Sequence, residues 1–190
     1  MYKKRFWVVS VFLWVLLTAL TACSAPADRL SSEEIEALRE DYPLCSYPEL
    51  VEIMYVPIEE NIERADTFVY GEIIGEAEPD DSSIWERFRY TVAVIDDSEG
   101  LFEKGETVIF SENVMLRSMI PEFSNGMQFI AAYRVGEEEK NNGHFMLWSM
   151  FYVTEDGYVI ASFDETLMGS ELILSGMRVE DTLQAVKKEK

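Results

Sequence analysis

Between residues 66 and 163 the chain repeats one pattern. Short runs of β-branched and aromatic residues alternate with acidic or glycine-containing turns. The runs are DTFVYGEIIGEA (66–77), RFRYTVAVIDD (87–97), ETVIFSE (106–112), GMQFIAAYRV (126–135), HFMLWSMFYVT (144–154) and YVIASF (158–163). In the second, Phe88, Tyr90, Val92 and Val94 share one face, and Arg89, Thr91, Ala93 and Ile95 share the other. This period of two is that of a half-buried strand. Glu155-Asp156-Gly157 stands between the last two runs, and Asp-Gly is a strong hairpin signal. About six strands without long intervening helices predict an antiparallel sheet that curls or closes.

Helices are expected only outside this region. In SSEEIEALRED (31–41), Ser31 and Glu34 fit a capping box, and Ile35 and Leu38 lie three apart. PIEENIERA places Pro57 at a first turn and Ile58 and Ile62 on one face. VEDTLQAVKKEK (179–190) has acids at its start and lysines at its end, both matching a helix dipole. ELVEIMYVP (49–57) suits either a strand or a helical turn. There is no internal repeat and no low-complexity tract.

The stretches ADTFVYGEIIG, YTVAVIDD, GLFEKGETVIF and GMQFIAAYRV, over residues 65–135, resemble a group of bacterial secreted and lipid-anchored proteins with an OB-fold-like barrel. Netrin-like and tissue-inhibitor modules share that architecture. The resemblance implies a small antiparallel OB-like β-barrel of about six strands, flanked by N-terminal helices and a C-terminal helix. In the inhibitor family a free N-terminal cysteine acts on a metalloprotease. Here the corresponding cysteine lies far ahead of the barrel, so that role is not expected.

The N-terminus carries a second resemblance. Lys3, Lys4 and Arg5 precede 15 uncharged residues, Phe6 to Leu20. As a helix that run covers only ~22 Å, short of a ~30 Å hydrocarbon core, so a signal peptide is expected rather than a span. It ends in Leu20-Thr21-Ala22-Cys23, which resembles the lipobox of bacterial lipoproteins. The resemblance implies a diacylglyceryl thioether on Cys23, cleavage before it, and an extracytoplasmic protein anchored to a bacterial membrane. The outer face of the cytoplasmic membrane is favoured. Several acyl chains would hold it stably, since each buried methylene contributes ~0.8 kcal/mol. The expected organisation is a signal peptide over 1–22, a lipid-anchored tether and short helix over 23–46, and the barrel with its C-terminal helix over 47–190. SAPADRL (24–30) reads as a tether reaching ~25 Å.

Three of the 16 basic residues and none of the 36 acidic ones lie in the signal, so its loss takes the net charge from −20 to −23. That excess argues against a nucleic-acid partner and against close adhesion to anionic headgroups.

Candidate chemistry is sparse. His144 is the only histidine, without a second histidine or an HExxH pattern for zinc. It reads as a polar residue at a strand start. Acidic clusters fall at Glu76, Glu78, Asp80 and Asp81, at Asp96, Asp97 and Glu99, and at Glu137, Glu138 and Glu139. None has the EF-hand spacing, and the first is the best place for Ca²⁺. Met115 with Met119, and Met146 with Met150, lie four apart, which on a strand is ~13 Å and too far for one metal. With Cys23 acylated, Cys45 has no partner in the chain for a disulfide. In 144–154 both faces are apolar, so one needs a cover; otherwise Trp148, Tyr152 and Tyr133 form an exposed aromatic patch for a ligand or protein. No P-loop, GxSxG or dinucleotide turn occurs. The expectation is a non-catalytic binding or interaction module without a cofactor, its partner an unidentified protein or small ligand. An accessory or sensing subunit of an envelope complex is the alternative, and a carboxylate-dependent hydrolase a more distant one.

Overall fold

A computed structural model describes residues 28–46, 55–75, 77–79, 87–113, 118–137 and 139–190. Strand β3 (Arg87–Asp97) matches its predicted run end to end. Tyr90, Val92 and Val94 are buried, while Arg89 and Thr91 are exposed. β3 pairs on one side with β1 (Thr67–Ile73) and on the other with β4 (Thr107–Asn113), both antiparallel. A two-residue strand, β2 (Glu78–Pro79), lies beside its first half. β1 also pairs with β5 (Gln128–Arg134), which carries β6 (His144–Phe145) and β7 (Phe151–Val153), and β7 pairs with β8 (Val159–Ala161).

The eight strands form one mainly antiparallel sheet in the order β2-β3-β1-β5-β7-β8, with β4 on β3 and β6 on β5. Among the described residues this sheet is open, not a closed barrel. β4 is held toward β6 by the Ile109 N–H on Asn141 O at 2.9 Å, without a strand ladder.

Residues 144–154, expected as one strand, are a correction. The chain instead turns between β6 and β7. Trp148 takes a left-handed backbone, φ 60°. The Ser149 hydroxyl donates to Met146 O at 2.6 Å and accepts the Ala132 N–H at 3.2 Å. Asn61, 2 % exposed, donates to the carbonyls of Leu147 and Trp148. These polar groups hold a turn where apolar alternation alone favours a strand.

β1 and β5 are buried on both faces, which is why QFIAAYR lacks a polar face. On one face Val69, Ile73, Phe129, Ala131 and Tyr133 join Tyr90, Phe110, Phe123 and Phe145 in an aromatic core. On the other, Phe68, Ile130 and Ala132 join Phe151, Val159 and the helices. The sequence change Tyr70-to-Gly71 coincides with a register shift against β3. A Cβ at Gly71 would collide with the Val92 side chain and sit 3.2 Å from Ala93 O, so the close approach at this bulge requires glycine.

Three helices form where expected. α1 (Ser32–Ala37) has its full capping box, with the Ser31 N–H donating to Glu34 Oε2 at 2.7 Å. A 3-10 turn, Leu38–Glu40, follows it. α2 (Ile58–Arg64) buries Ile58, Asn61 and Ile62. α3 (Val179–Glu189) buries Val179, Leu183 and Val186, with acids in its first turn and lysines in its last. Residues 28–46 run along the β8 edge. Leu30 N–H donates to Gly176 O, Arg39 to Ala161 O, and the Cys45 N–H to Ser162 O. An edge strand covered in this way offers no template for pairing with another chain.

Candidate functional site

β3 ends in Asp96 and Asp97 before the loop that opens SEG, and the two aspartates part company. The register shift turns Asp97 inward while Asp96 stays exposed. Asp97 Oδ1 accepts the Thr67 hydroxyl at 2.7 Å and the N–H groups of Glu99 and Leu101, each at 3.0 Å. Oδ2 accepts the Phe102 N–H at 2.9 Å. Burial pushes the carboxyl up, but the Phe102 and Leu101 N–H groups, the Thr67 hydroxyl and the Glu99 N–H outweigh it and hold the pKa below its ordinary value. The Ser98 hydroxyl accepts the Phe68 N–H at 3.1 Å and lies 3.3 Å from Thr67 Oγ1. It therefore closes a loop rather than pairing with an imidazole.

Beside this loop, α3 and the end of β3 bound a cleft of about 270 Å³. Asp96, Asp97 and Ser98 line it from the strand side, and Glu180, Gln184 and Lys187 from the helix. With Asp97 committed to backbone donors, the groups facing solvent are two carboxylates, an amide and an ammonium. That set suits a small polar ligand. Among the described residues, no group of three or more His, Cys, Asp or Glu is placed to hold a metal. A second, apolar cavity of about 90 Å³ lies between β4 and β6, lined by Phe110, Ile120, Phe145, Leu147 and Met150 with Ser111 and Asn113.

Among the described residues, Glu165 is the other buried carboxylate, 7 % exposed. Its Oε1 accepts the Leu174 N–H at 2.6 Å and the Ser175 N–H at 3.3 Å. Burial raises its pKa, only partly offset by the Ser175 hydroxyl, those two N–H groups and the Arg29 charge.

The residues singled out in the sequence are scattered. Tyr133, Trp148 and Tyr152 are 0, 3 and 6 % exposed and make no shared surface patch. Tyr133 belongs to the aromatic core, and its hydroxyl donates to Lys140 O at 3.0 Å while accepting the Gly143 N–H at 2.7 Å. Trp148 lies in the helical core, its ring 6.3 Å from Tyr55. Tyr152 sits under the covering segment, donating to Pro43 O at 2.9 Å, and burial raises its phenol well above its ordinary value. The cover that 144–154 needs is thus supplied from both sides.

His144 is exposed at the start of β6, and burial of its surroundings and the Arg134 charge lower its pKa. Glu78 is exposed on β2. Glu76, Asp80, Asp81, Met115 and Cys23 lie outside the described residues, as do 49–54. Cys45 is a half-buried thiol. The sequence places Asp97 in an acidic cluster without marking its burial, and does not mark Glu165 at all. Asp-Ser-x-Gly after a strand is a turn signal that could have marked Asp97. Nothing near Glu165 marks it, because its donors come from nine residues further on.

The chain matches no protein-family model and no curated protein. Among the described residues, no helix is long and apolar enough to cross a membrane.

Proposed function

We propose that this protein is a lipid-anchored extracytoplasmic binding or interaction module, non-catalytic, tethered to a bacterial membrane through Cys23. The observation that carries this reading is the N-terminal order: Lys3, Lys4, Arg5, 15 uncharged residues, then Leu20-Thr21-Ala22-Cys23. A binding rather than a catalytic role is supported by how the buried acids are used. Asp97 and Glu165 both accept backbone N–H groups, and the cleft beside α3 presents charges without a paired base and nucleophile.

The aromatic half is read as OB-like. β4, β3, β1, β5 and β6 succeed one another, and the segment before β6 returns to β4 through Asn141. Its Nδ2 donates to Thr107 O and to Glu106 Oε1, both at 2.9 Å.

The test is the state of Cys23 in cells. Mass spectrometry of the mature N-terminal peptide should find a diacylglyceryl-modified cysteine, and Cys23→Ser should leave the signal uncut. An unmodified Cys23 thiol in the mature chain overturns the reading.

A further inference from the structure

Where the chain joins the domain decides how an anchored domain stands, and this inference rests on acylation of Cys23. Asp28 Oδ2 accepts from Arg178 Nη2 at 2.6 Å and Nε at 3.1 Å, and Oδ1 accepts from the Tyr158 hydroxyl at 2.9 Å. The Arg178 guanidinium stacks 3.8 Å over the Tyr158 ring. Arg29 Nη2 donates to Ile173 O at 2.7 Å and to Ser175 O at 3.0 Å. Leu30 N–H donates to Gly176 O at 2.9 Å. Gly176 has φ +85°, and a Cβ there would stand 2.8 Å from Leu30 O, so the strap lies against bare backbone. Asp28 and Leu30 are thereby fixed at the start of β8, where Tyr158 pairs with Arg178 and the Gly176 N–H donates to Val159 O, while the Arg29 side chain reaches along the strand to Ser175 and Ile173. From there the strap runs with β8 to its end, where Arg39 meets Ala161 O and Cys45 meets Ser162 O, each at 2.7 Å.

Residues 28–30 are thus part of the domain, and only residues 24–27 lie between them and Cys23. Five Cα steps span at most ~18 Å. Such a leash, fixed at one pole, admits few orientations.

We infer that the pole at the start of β8 faces the bilayer and the opposite pole faces outward. The ladder identifies both. Val159 pairs with Val153, Tyr152 with Phe129, and Gln128 with Glu72, so the 154–157 turn, the start of β5 and the end of β1 share the near pole. Thr67 pairs with Tyr133 and Val69 with Asp97, so the 98–105 loop lies at the far pole. A strand of seven residues separates the poles by ~23 Å. The 139–142 loop stands at the far pole too, tied to it by Lys140 and Asn141 on Glu106.

The full-length lipidated protein tests this in phosphatidylcholine vesicles carrying a headgroup-quencher lipid. On a Cys45→Ser background, single labels enter through Glu155→Cys at the near pole and Lys104→Cys at the far one. The acylated Cys23 sulfur does not react with the label. Quenching several-fold stronger at 155 than at 104 is expected. Equal quenching of protein that floats with the vesicles overturns the orientation and leaves the anchor standing. Protein that does not float overturns the anchor itself. In the double variant Asp28→Ala, Arg29→Ala, flotation should persist and the contrast should collapse. A contrast that survives there also overturns the inference, because the strap would not be its cause.

Discussion

The two faces of β1 and β5 carry two cores that are filled differently. On one side rings meet one another: Phe129 lies edge to face with Phe145 at 5.3 Å and tilted against Phe123 at 5.2 Å, and Tyr133 meets Phe145 edge to face at 4.9 Å. On the other side the filling is largely aliphatic, from α2, α3 and β8, around the pair Phe151–Phe163. Among the described residues, each half contains one buried acid that collects backbone N–H groups. Asp97 gathers four donors and its pKa falls. Glu165 gathers fewer in a tighter enclosure and its pKa rises. The difference teaches that burial does not set the sign of a shift. The sign follows from whether the donors outnumber what desolvation removes.

The largest expected effect asks whether the halves are separable. Phe129→Ala should cost about 3–5 kcal/mol, as for other buried aromatics truncated to alanine. Phe129 is fully buried and its neighbour Ile130 is part of the other core. Loss on one side of β5 therefore reaches the other. Hydrogen exchange should show protection falling in α3, at Leu183 and Val186, as much as in β4. Protection retained in α3 alone would make the halves independent units.

Asp97→Asn comes next, at about 1–3 kcal/mol, the cost of leaving a buried partner unmet. The amide has one accepting oxygen. Its NH₂ would face either the Phe102 N–H or the Glu99 and Leu101 N–H groups, donor against donor. The pH dependence follows from a lowered pKa. The stabilisation is present above the ordinary value near 3.8 and is lost as pH falls through the folded-state value. Urea unfolding from pH 5 downward should therefore show an acid limb in the native chain that is shallower in the variant. An unchanged limb would mean that Asp97 does not staple the loop.

The aromatic half was legible because its strands alternate, and 87–97 could be read residue by residue. The C-terminal helix was legible from its charge gradient. What failed to show was tertiary. Nothing in HFMLWSMFYVT says that Ser149 and Asn61 will hold a turn in its middle, since Asn61 arrives from 86 residues away. The burial of Trp148 and Tyr152 depends on helices and a strap whose docking has no local signature, and that of Tyr133 on the distant rings of Phe102 and Phe145. SAPADRL read as a tether because its residues are small and polar, yet Asp28, Arg29 and Leu30 find distant partners in residues 158–178. The bulge that turns Asp97 inward breaks the period of two, which is the only ruler that sequence reading has for a strand.

Glu165→Gln should give the smallest change and an opposite pH response. The carboxyl's folded pKa stands above the ordinary 4.5, so its contribution is fully present below that value and is lost as pH rises through the raised one. Desolvation disfavours the charged form of this carboxyl, and the Ser175 hydroxyl, the Leu174 and Ser175 N–H groups and the Arg29 charge offset that only in part. Glutamine keeps an oxygen for the Leu174 N–H and carries no charge to bury. The variant should then lie within about 1 kcal/mol of the native protein at pH 7, less than one pKa unit of differential interaction. Relative to the native chain it should gain stability steadily from pH 4.5 upward. Urea midpoints at pH 4.5 and pH 7 decide it. A native-to-variant difference that stays constant between them would mean Glu165 titrates alike folded and unfolded, and the contrast with Asp97 would reduce to the number of donors alone.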